Sequence, residues 1–216
     1  MRRTSNTLRT PLEGLPPGAA ALIETSKQLL IDGGIDALRV AKITEAAGQN
    51  RAMVNYYFGS KAAMVAAVVD SLIHEAVEEL VAQAESLPRG ETRVVEHVKN
   101  TMSLMQTPEF ISTIDVIPTA RRNEDLRGRM AQLYEWYRET SVECLDPEAD
   151  DDRGQRLGDI ATLFVAIFDG LAIQWALDPD AVALERMAVL VSEMLNALLA
   201  PGTKDAADRQ AAEPTF

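Results

Sequence analysis

Apolar residues recur along most of the chain at the spacing of an amphipathic helix. Near the N-terminus, for example, Leu22, Ile23, Leu29 and Leu30 fall at i, i+3/4 and i+7 positions, with the small polar Ser26 on the same face, and Gly33-Gly34 follows as a stop signal. No run shows the alternating pattern of a β-strand convincingly. The pattern therefore predicts an all-α fold of about nine helices.

Glycine, proline and capping residues divide this pattern into separate helices. Ser60 and Asp180 are predicted N-caps, and Pro118 is expected to kink or shorten its helix. An acidic loop is predicted over residues 146–153, and a turn at Asp178-Pro179-Asp180. The helices are predicted at residues 18–33, 40–47, 51–57, 60–87, 91–106, 108–122, 124–146, 154–177 and 181–200.

Composition narrows the functional class. The 216 residues are 47% hydrophobic and 25% charged, which is typical of a globular domain that buries a sizeable core. The longest apolar stretch, residues 161–177, carries Asp169 at its centre, so a buried helix is favoured over a membrane span. One cysteine and two separated histidines, His74 and His97, offer neither an internal disulfide nor a zinc cluster. We expect a cytoplasmic protein without metal or cofactor.

Charge is distributed unevenly. The net charge is −12, which taken alone argues against a nucleic-acid partner. Residues 1–61, however, hold 8 Lys/Arg against 5 Asp/Glu (+3), and the remainder holds 13 against 28 (−15). A basic end on an acidic body suits a molecule that presents that end to a polyanion, although terminal asymmetry also arises by chance.

Residues 43–61 carry the most informative pattern. They describe a short helix, a turn of about three residues at Gly48, and a second short helix, which is the spacing of a DNA-binding helix-turn-helix. Gly48 provides the left-handed residue that a tight reversal needs. Val54 and Phe58 are expected to face inward. The opposite face of the second helix then presents Arg51, Ala52, Asn55 and Tyr56.

This segment resembles the DNA-binding domain of the TetR family of transcriptional regulators. The resemblance rests on Ala47-Gly48 and on Asn55-Tyr56-Tyr57-Phe58-Gly59-Ser60-Lys61, with support from residues 33–40. Weaker similarity appears at Phe168-Asp169-Gly170-Leu171 and at residues 178–180, in the family's last two helices. The sequence departs from the usual pattern at Arg39, Ala41, Gln49, Asn55 and Tyr57, so base preference does not carry over from relatives.

The resemblance implies four segments. Residues 1–17 form a flexible basic tail, residues 18–62 the helix-turn-helix domain, residues 63–200 a helical regulatory and dimerisation domain, and residues 201–216 a flexible tail. Arg2, Arg3 and Arg9 are either a minor-groove arm or a solvated end.

Chemistry assigns roles within the predicted DNA-binding surface. Arg51 is the best candidate for a guanine edge, because its planar fork matches O6 and N7. Asn55 suits adenine or a phosphate, and Ala52 and Met53 suit thymine methyls. Tyr56, Tyr57 and Lys61 suit backbone phosphates. By the family resemblance, Arg39 and Lys42 are expected to form a phosphate clamp. Gln49 and Asn50 complete the predicted surface without an individual role. Tyr56 and Tyr57 alternatively only pack the small domain.

The last two helices are apolar around most of their circumference. Such helices are buried on more than one side, which suggests a four-helix bundle between two copies of the chain rather than two core helices of a monomer. The residues predicted for this homodimer interface are Ile160, Phe164, Leu171, Leu184, Met187, Val191, Met194, Leu195 and Leu198.

The family resemblance also implies a small-molecule effector site in the large domain. Asp169, if buried in its apolar helix, needs a hydrogen-bond partner. Ligand binding would move the fourth helix and so change the separation of the two recognition helices. The candidate lining residues are Met102, Met105, Phe110, Trp136, Tyr137, Phe168 and Trp175.

The sequence therefore predicts a sequence-specific repressor that a small molecule releases from a palindromic DNA operator. One alternative is a helical ligand-binding or interaction module whose helix-turn-helix no longer binds DNA. Activation in place of repression also stays open. An enzyme is disfavoured, because no phosphate loop, nucleophile–base pair or paired carboxylates appear.

Overall fold

The computed structural model describes residues 14–88, 90–145 and 151–200, and within these ranges the chain is helical without strands. The predicted all-α class is confirmed. A short 3-10 helix, Ile35–Ala37, follows the first of ten α-helices. These are α1 Pro17–Gly33, α2 Val40–Ala46, α3 Ala52–Phe58, α4 Lys61–Glu85, α5 Glu91–Leu104, α6 Pro108–Ile114, α7 Ile117–Ala120, α8 Glu124–Leu145, α9 Asp151–Leu177 and α10 Leu184–Leu199.

The N-terminal helix shows how local sequence sets its bounds. Pro17 occupies the first turn of α1, where its missing N–H has no helical partner to lose. At the other end Gly34 adopts φ 63°, and its N–H donates to the Leu30 carbonyl at 2.8 Å. Leu22, Ile23 and Leu30 are buried as one stripe, which packs mainly against α4.

The described part of the chain begins within the predicted N-terminal tail. Leu15 packs against the hydrophobic core, and Pro17 is the first residue of α1. The apolar side chain of Leu15 gains burial by this contact. The rest of both predicted tails, including Arg2, Arg3 and Arg9, and residues 146–150 of the predicted acidic loop lie outside the described residues.

The predicted helix over residues 108–122 is two helices. Thr107 caps α6 by accepting the Phe110 N–H at 3.2 Å, and α6 ends at Ile114. Pro118 lies in the first turn of α7, where it is tolerated. Val116 is fully buried between the two helices. The predicted shortening at Pro118 is confirmed, and it raises the number of helices above nine.

The last helix begins later than predicted, and Asp180 is not its cap. α10 starts at Leu184 with Ala183 at the N-cap position and no side-chain cap. The Asp178 carboxylate instead accepts the Ala181 N–H at 3.2 Å within the preceding turn. Asp178 thus takes the local hydrogen-bonding role that the sequence assigned to Asp180.

Two hydrophobic cores hold the described helices together. The first, here called the junction core, joins α1–α4 to α7 and α8. The second, the distal core, joins α5, α6, α9 and α10 to the end of α8. Fully buried members of the junction core are Leu22, Ile23, Leu30, Leu38, Ile43, Val54, Met64, Val68, Val69, Ile73 and Val116. Those of the distal core include Val98, Met105, Phe164, Ala172 and Leu195.

One helix, residues 154–177, is long and apolar enough to cross a membrane by length and composition. Core helices of water-soluble proteins meet the same criteria. In this chain Leu157, Phe164 and Phe168 of that helix are buried in the distal core, and Asp169 lies near its middle. Packing inside the protein accounts for the apolar character of this face.

Candidate DNA-binding surface

The turn between α2 and α3 is a Schellman motif centred on Gly48. The Gly48 N–H donates to the Glu45 carbonyl at 3.2 Å, and the Gln49 N–H reaches back to the Thr44 carbonyl at 2.7 Å. Gly48 has φ 63°, a conformation that an L side chain rarely adopts. A Cβ there would meet nothing within 4 Å, so the requirement for glycine is conformational and not steric.

Asn50 and Ser60 fix the ends of the two helices that follow this turn. The Asn50 side-chain oxygen accepts the Ala52 N–H at 2.9 Å at the start of α3. The Ser60 hydroxyl accepts the Ala63 N–H at 3.0 Å at the start of α4, which confirms the predicted cap. Between them Gly59, with φ 76°, ends α3. These local bonds hold α3 in a defined orientation.

The two faces of α3 differ as predicted. Val54 is buried against the junction core beside Ile43, and Phe58 and Ala47 are partly buried there. Eight of the eleven predicted DNA-binding residues are exposed, and Gln49, Met53 and Tyr57 are half-buried. The exposed ones are Arg39, Lys42, Asn50, Arg51, Ala52, Asn55, Tyr56 and Lys61.

The basic side chains of this surface are available to an external anion. Within the described part of the chain, Arg39, Lys42, Arg51 and Lys61 form no ion pair, whereas the nearby Lys27 is paired with Glu24 at 3.2 Å. Unpaired exposed cations on one small unit are what a phosphate backbone attracts. The predicted basic end is therefore a surface feature.

Three of the residues predicted to contact DNA also make contacts inside the subunit. Met53 packs partly against the junction core, and the Asn50 side-chain oxygen is used in capping. Tyr57 lies over Gly18 at the start of α1, where an added Cβ would sit 2.6 Å from the Tyr57 hydroxyl. Its ring also meets Tyr56 edge-on, with ring centroids 5.0 Å apart. Tyr57 therefore joins α3 to α1, as the packing alternative for this residue anticipated.

The predicted interface residues fall into two groups. Ile160, Phe164, Val191 and Leu195 are buried inside the subunit, and their place in an interface stays a prediction. The half-buried group is Leu171, Leu184, Met187, Met194 and Leu198. The large apolar side chains exposed on the same two helices are instead Leu163, Ile173, Leu177, Val189 and Leu190.

The seven predicted effector-site residues lie in three places. Met102, Met105, Phe110 and Phe168 are buried in the distal core. Trp175 lines a surface pocket of about 460 Å³ with Leu184 and Arg186. Trp136 and Tyr137 belong to an aromatic group on α8 at the edge of the junction core. Hydrophobic character alone therefore does not show which of these seven residues only fill the core and which could line an effector site.

Asp169 has the partner that burial demands. The Tyr134 hydroxyl donates to the Asp169 carboxylate at 2.6 Å, and burial raises the pKa of that carboxyl while this hydrogen bond lowers it. Tyr137 lies edge-on to Tyr134 and stacks on Trp136, which in turn stacks on His74. The Tyr137 hydroxyl is buried without a hydrogen-bond partner in the described residues.

Comparisons with known proteins decide the family. The model of the bacterial regulatory proteins of the tetR family matches residues 22–68, and that of the BetI-type transcriptional repressor C-terminal domain matches residues 90–200, about half of the chain. The chain belongs to the TetR family. Its C-terminal part is of the BetI type. This is a family of transcriptional regulators and not of enzymes, and the protein is a DNA-binding transcriptional repressor with a ligand-binding C-terminal domain.

Individual relatives agree with this membership. The chain is 24% identical over 192 residues to the HTH-type transcriptional regulator BetI of Rhizobium meliloti (strain 1021), covering 88% of this chain and 93% of that one. The multidrug binding protein EbrR, crystallised with imidazole, superposes with a TM-score of 0.67 at 19% identity over 94% and 100% of the two chains. A Saccharomonospora viridis transcriptional regulator in complex with choline gives 0.60 at 18% identity over 82% and 94%.

Several residues of this TetR-family chain escaped the sequence prediction. Asp70 is the one charged residue in the apolar run of residues 62–73, which signals a buried partner, and Arg129 supplies it at 2.8 Å. Tyr134 precedes Tyr137 by one helical turn, a spacing that places both on one face of α8. His97 is buried on Phe164, and nothing in its amphipathic helix distinguished it from a surface residue.

Proposed function

We propose that two copies of this repressor bind a palindromic operator, each placing α3 in the major groove. The observation that carries this is the exposed face of α3, where Arg51, Ala52 and Asn55 stand clear of the core on a helix whose other face is buried. Arg51 would contact a guanine edge, with Arg39, Lys42 and Lys61 on phosphates. Half-sites one helical turn apart, about 34–36 Å, suit such a dimer.

The test is in-vitro selection of duplex DNA from a randomised pool at about physiological salt. The wild type is expected to enrich an inverted repeat. Arg51→Ala should lose preference at one base pair of each half-site, at a cost of about 1–3 kcal/mol in discrimination. Arg122→Ala, an exposed arginine far along the chain, is the matched control and should select the same repeat. A module with a degenerate helix-turn-helix would instead give weak, salt-sensitive binding and no enriched sequence.

We propose further that α9 and α10 form the homodimer interface, through their outward faces. Leu163, Ile173 and Leu177 lie along one side of α9, and Val189 and Leu190 lie on α10; Leu163, Val189 and Leu190 are each more than half exposed. Several large apolar side chains exposed on two consecutive helices are unusual on a monomer and typical of a subunit contact.

Sedimentation of the purified protein tests this interface. Leu163→Glu with Leu190→Glu is expected to yield monomers, because each glutamate would be buried unpaired in the contact. Ser103→Glu adds a charge on the exposed face of α5 and should leave the dimer intact. A monomeric wild type, or a double variant that dimerises as the wild type does, would refute the assignment.

The effector we propose is a small organic cation, bound beside Tyr134, Tyr137 and Asp169. Aromatic faces together with a carboxylate are the chemistry that recognises a quaternary ammonium group. Asp169 supplies the charge, Tyr137 has an unsatisfied buried hydroxyl, and Trp136 extends the aromatic surface. The structural neighbour that was solved with choline supports this class.

Calorimetric titration with choline and with its neutral isostere 3,3-dimethylbutanol separates charge from shape. Choline is expected to bind and to release the selected DNA, whereas the alcohol should bind at least about tenfold more weakly, the effect of about 1.4 kcal/mol of lost cation–π and ionic attraction. Asp169→Asn should reduce the difference in affinity between choline and the alcohol. Equal binding of the two compounds, or none, would exclude a cation site here.

A regulator that binds the operator must share a compartment with the chromosome. We therefore place this protein in the cytoplasm, with residues 154–177 serving as a core and interface helix and not as a membrane span. Extraction of the expressed protein into the soluble fraction without detergent tests this placement.

A further inference from the structure

A partly buried ion pair joins α4, the helix that follows the DNA-binding unit, to α8 of the regulatory domain. Arg129 Nη2 of α8 lies 2.8 Å from Asp70 Oδ2 of α4. The Asp70 side chain is 6% exposed and that of Arg129 is 33% exposed. A carboxylate removed from water in an apolar run is costly without such a partner, so Asp70 depends on Arg129.

The pair stands where the regulatory domain faces α3. Arg129 lines one wall of a cleft of about 700 Å³, and Tyr57 and Phe58 of α3 line another. Asp70 is nine residues into α4, the helix that continues directly from the DNA-binding unit. A contact at this position constrains how that unit is oriented relative to α8.

Apolar packing alone does not hold α4 at a single angle against α8. The junction core between α4 and α8 consists of side chains such as Val69, Ile73 and Leu133, whose attraction is non-directional and permits small rotations and shifts. A charge-assisted hydrogen bond is directional, and a buried polar pair is best attested as a device that selects one register.

We propose that the Asp70–Arg129 pair is a positioning element that sets the separation of the two α3 helices in the dimer. It contacts no DNA; it acts by holding α4 at one angle against α8 in each subunit. The proposal rests on the dimeric operator binding proposed above. Loss of the pair should leave recognition of each half-site unchanged and should broaden the range of half-site spacings that the protein accepts.

The experiment compares affinities for the selected inverted repeat and for repeats with one or two base pairs added to or removed from its centre. The wild type is expected to bind the selected spacing at least about tenfold more tightly than the altered ones, because an altered spacing weakens the contacts of one half-site. Arg129→Gln should reduce this preference to about twofold to threefold while base preference within each half-site is retained.

Two further variants keep the test decisive. Asp70→Asn combined with Arg129→Gln removes both charges, so it leaves no unpaired buried ion and should fold even where the single variant does not; it should show the same broadened spacing. Arg127→Gln removes an exposed arginine of the same helix, 4.0 Å from Glu124, and should keep the wild-type preference.

The outcomes separate this proposal from the one on which it depends. An inverted repeat selected by the wild type, with unchanged spacing preference in the folded double variant, would overturn the positioning role alone. A wild type that selects no inverted repeat would overturn dimeric operator binding, and the positioning role with it. Broadened spacing in Arg127→Gln as well would also contradict a specific role for Arg129.

Discussion

The junction core and the distal core consist of similar apolar side chains but connect different parts of the molecule. The junction core crosses from the DNA-binding unit into the regulatory domain, and its charged pair, Asp70 and Arg129, lies at that crossing. The distal core stays within α5, α6, α9 and α10 and the end of α8. It encloses the His97 imidazole, whose two nitrogens have no hydrogen-bond partner in the described residues. The junction core connects the DNA-binding unit to the regulatory domain, and the distal core supports α9 and α10, the helices proposed to form the dimer.

The predicted domain boundary at residue 62 stays a prediction, and the junction core extends across it. Met64, Val68 and Leu72 of α4 lie in the same core as Leu22 and Val54 of the DNA-binding unit. A unit of three short helices is too small to bury a sufficient core alone, so it shares one with the regulatory domain. A shift of α4 against α8 would disturb the core that also holds α3, as the proposed release from DNA by an effector needs.

Matched methionine truncations test this difference most strongly. Met102 of the distal core is 4% exposed and Met130 of the junction core is 8% exposed. Met102→Ala and Met130→Ala should each lower the free energy of unfolding by about 2–5 kcal/mol, because each removes buried atoms and leaves a cavity. Denaturant unfolding at one fixed protein concentration measures both losses.

DNA affinity then distinguishes the two methionine variants. At a temperature where both remain folded, Met130→Ala should weaken binding to the selected operator and Met102→Ala should not, because only Met130 lies in the core shared with α3. Equal effects on DNA binding would show that the two cores are not functionally distinct.

The distal core should respond to acid through His97. Burial lowers the pKa of this imidazole from 6.5 to about 4, since the charged form is poorly solvated beside Phe164. The unfolded chain then binds the proton first as the pH falls from about 6.5 to about 4, and stability falls over that window by about 3 kcal/mol in total. Above pH 7 the contribution is constant.

The measurement for His97 is the difference between the wild type and His97→Phe, a variant that keeps an aromatic ring against Phe164. Urea unfolding at pH 4.5 and at pH 7.5 should show a larger acid loss in the wild type. The difference is needed because burial raises the pKa of Asp70 to about 6, which makes the native state bind protons first and acts with the opposite sign in both proteins. An equal change in the free energy of unfolding between pH 7.5 and pH 4.5 in the two proteins would disprove the acid response assigned to His97.

A glycine pair gives the smallest expected effect and isolates local conformation from either core. Gly48→Ala should cost about 1–2 kcal/mol, because alanine must adopt φ 63° in open space. Gly128→Ala, in the exposed surface of α8 with no atom near its added Cβ, should stabilise by about 0.5–1 kcal/mol. Thermal unfolding measures both, and a Gly48→Ala variant as stable as the wild type would contradict the argument for the Schellman turn.

Most of the DNA-binding unit was predictable from sequence, because its structure is local. Gly48, Ser60 and the alternation around Val54 act within a few residues, through turn conformation, capping and helical periodicity. The regulatory domain was less predictable. Phe164 and Leu163 are adjacent and similar in hydrophobicity, yet one is buried and the other more than half exposed. Sequence does not state which side of an apolar helix faces its own subunit.

The sequence by itself determined the helical class, the helix-turn-helix and the family of this protein, since periodicity and short motifs are encoded in consecutive residues. Only the tertiary structure decided that one core spans the DNA-binding unit and α8, that Asp70 meets Arg129 across 59 residues of chain, and that Tyr134 meets Asp169. The reason is that burial and pairing depend on helices distant in sequence, and those contacts exist only once the helices have packed.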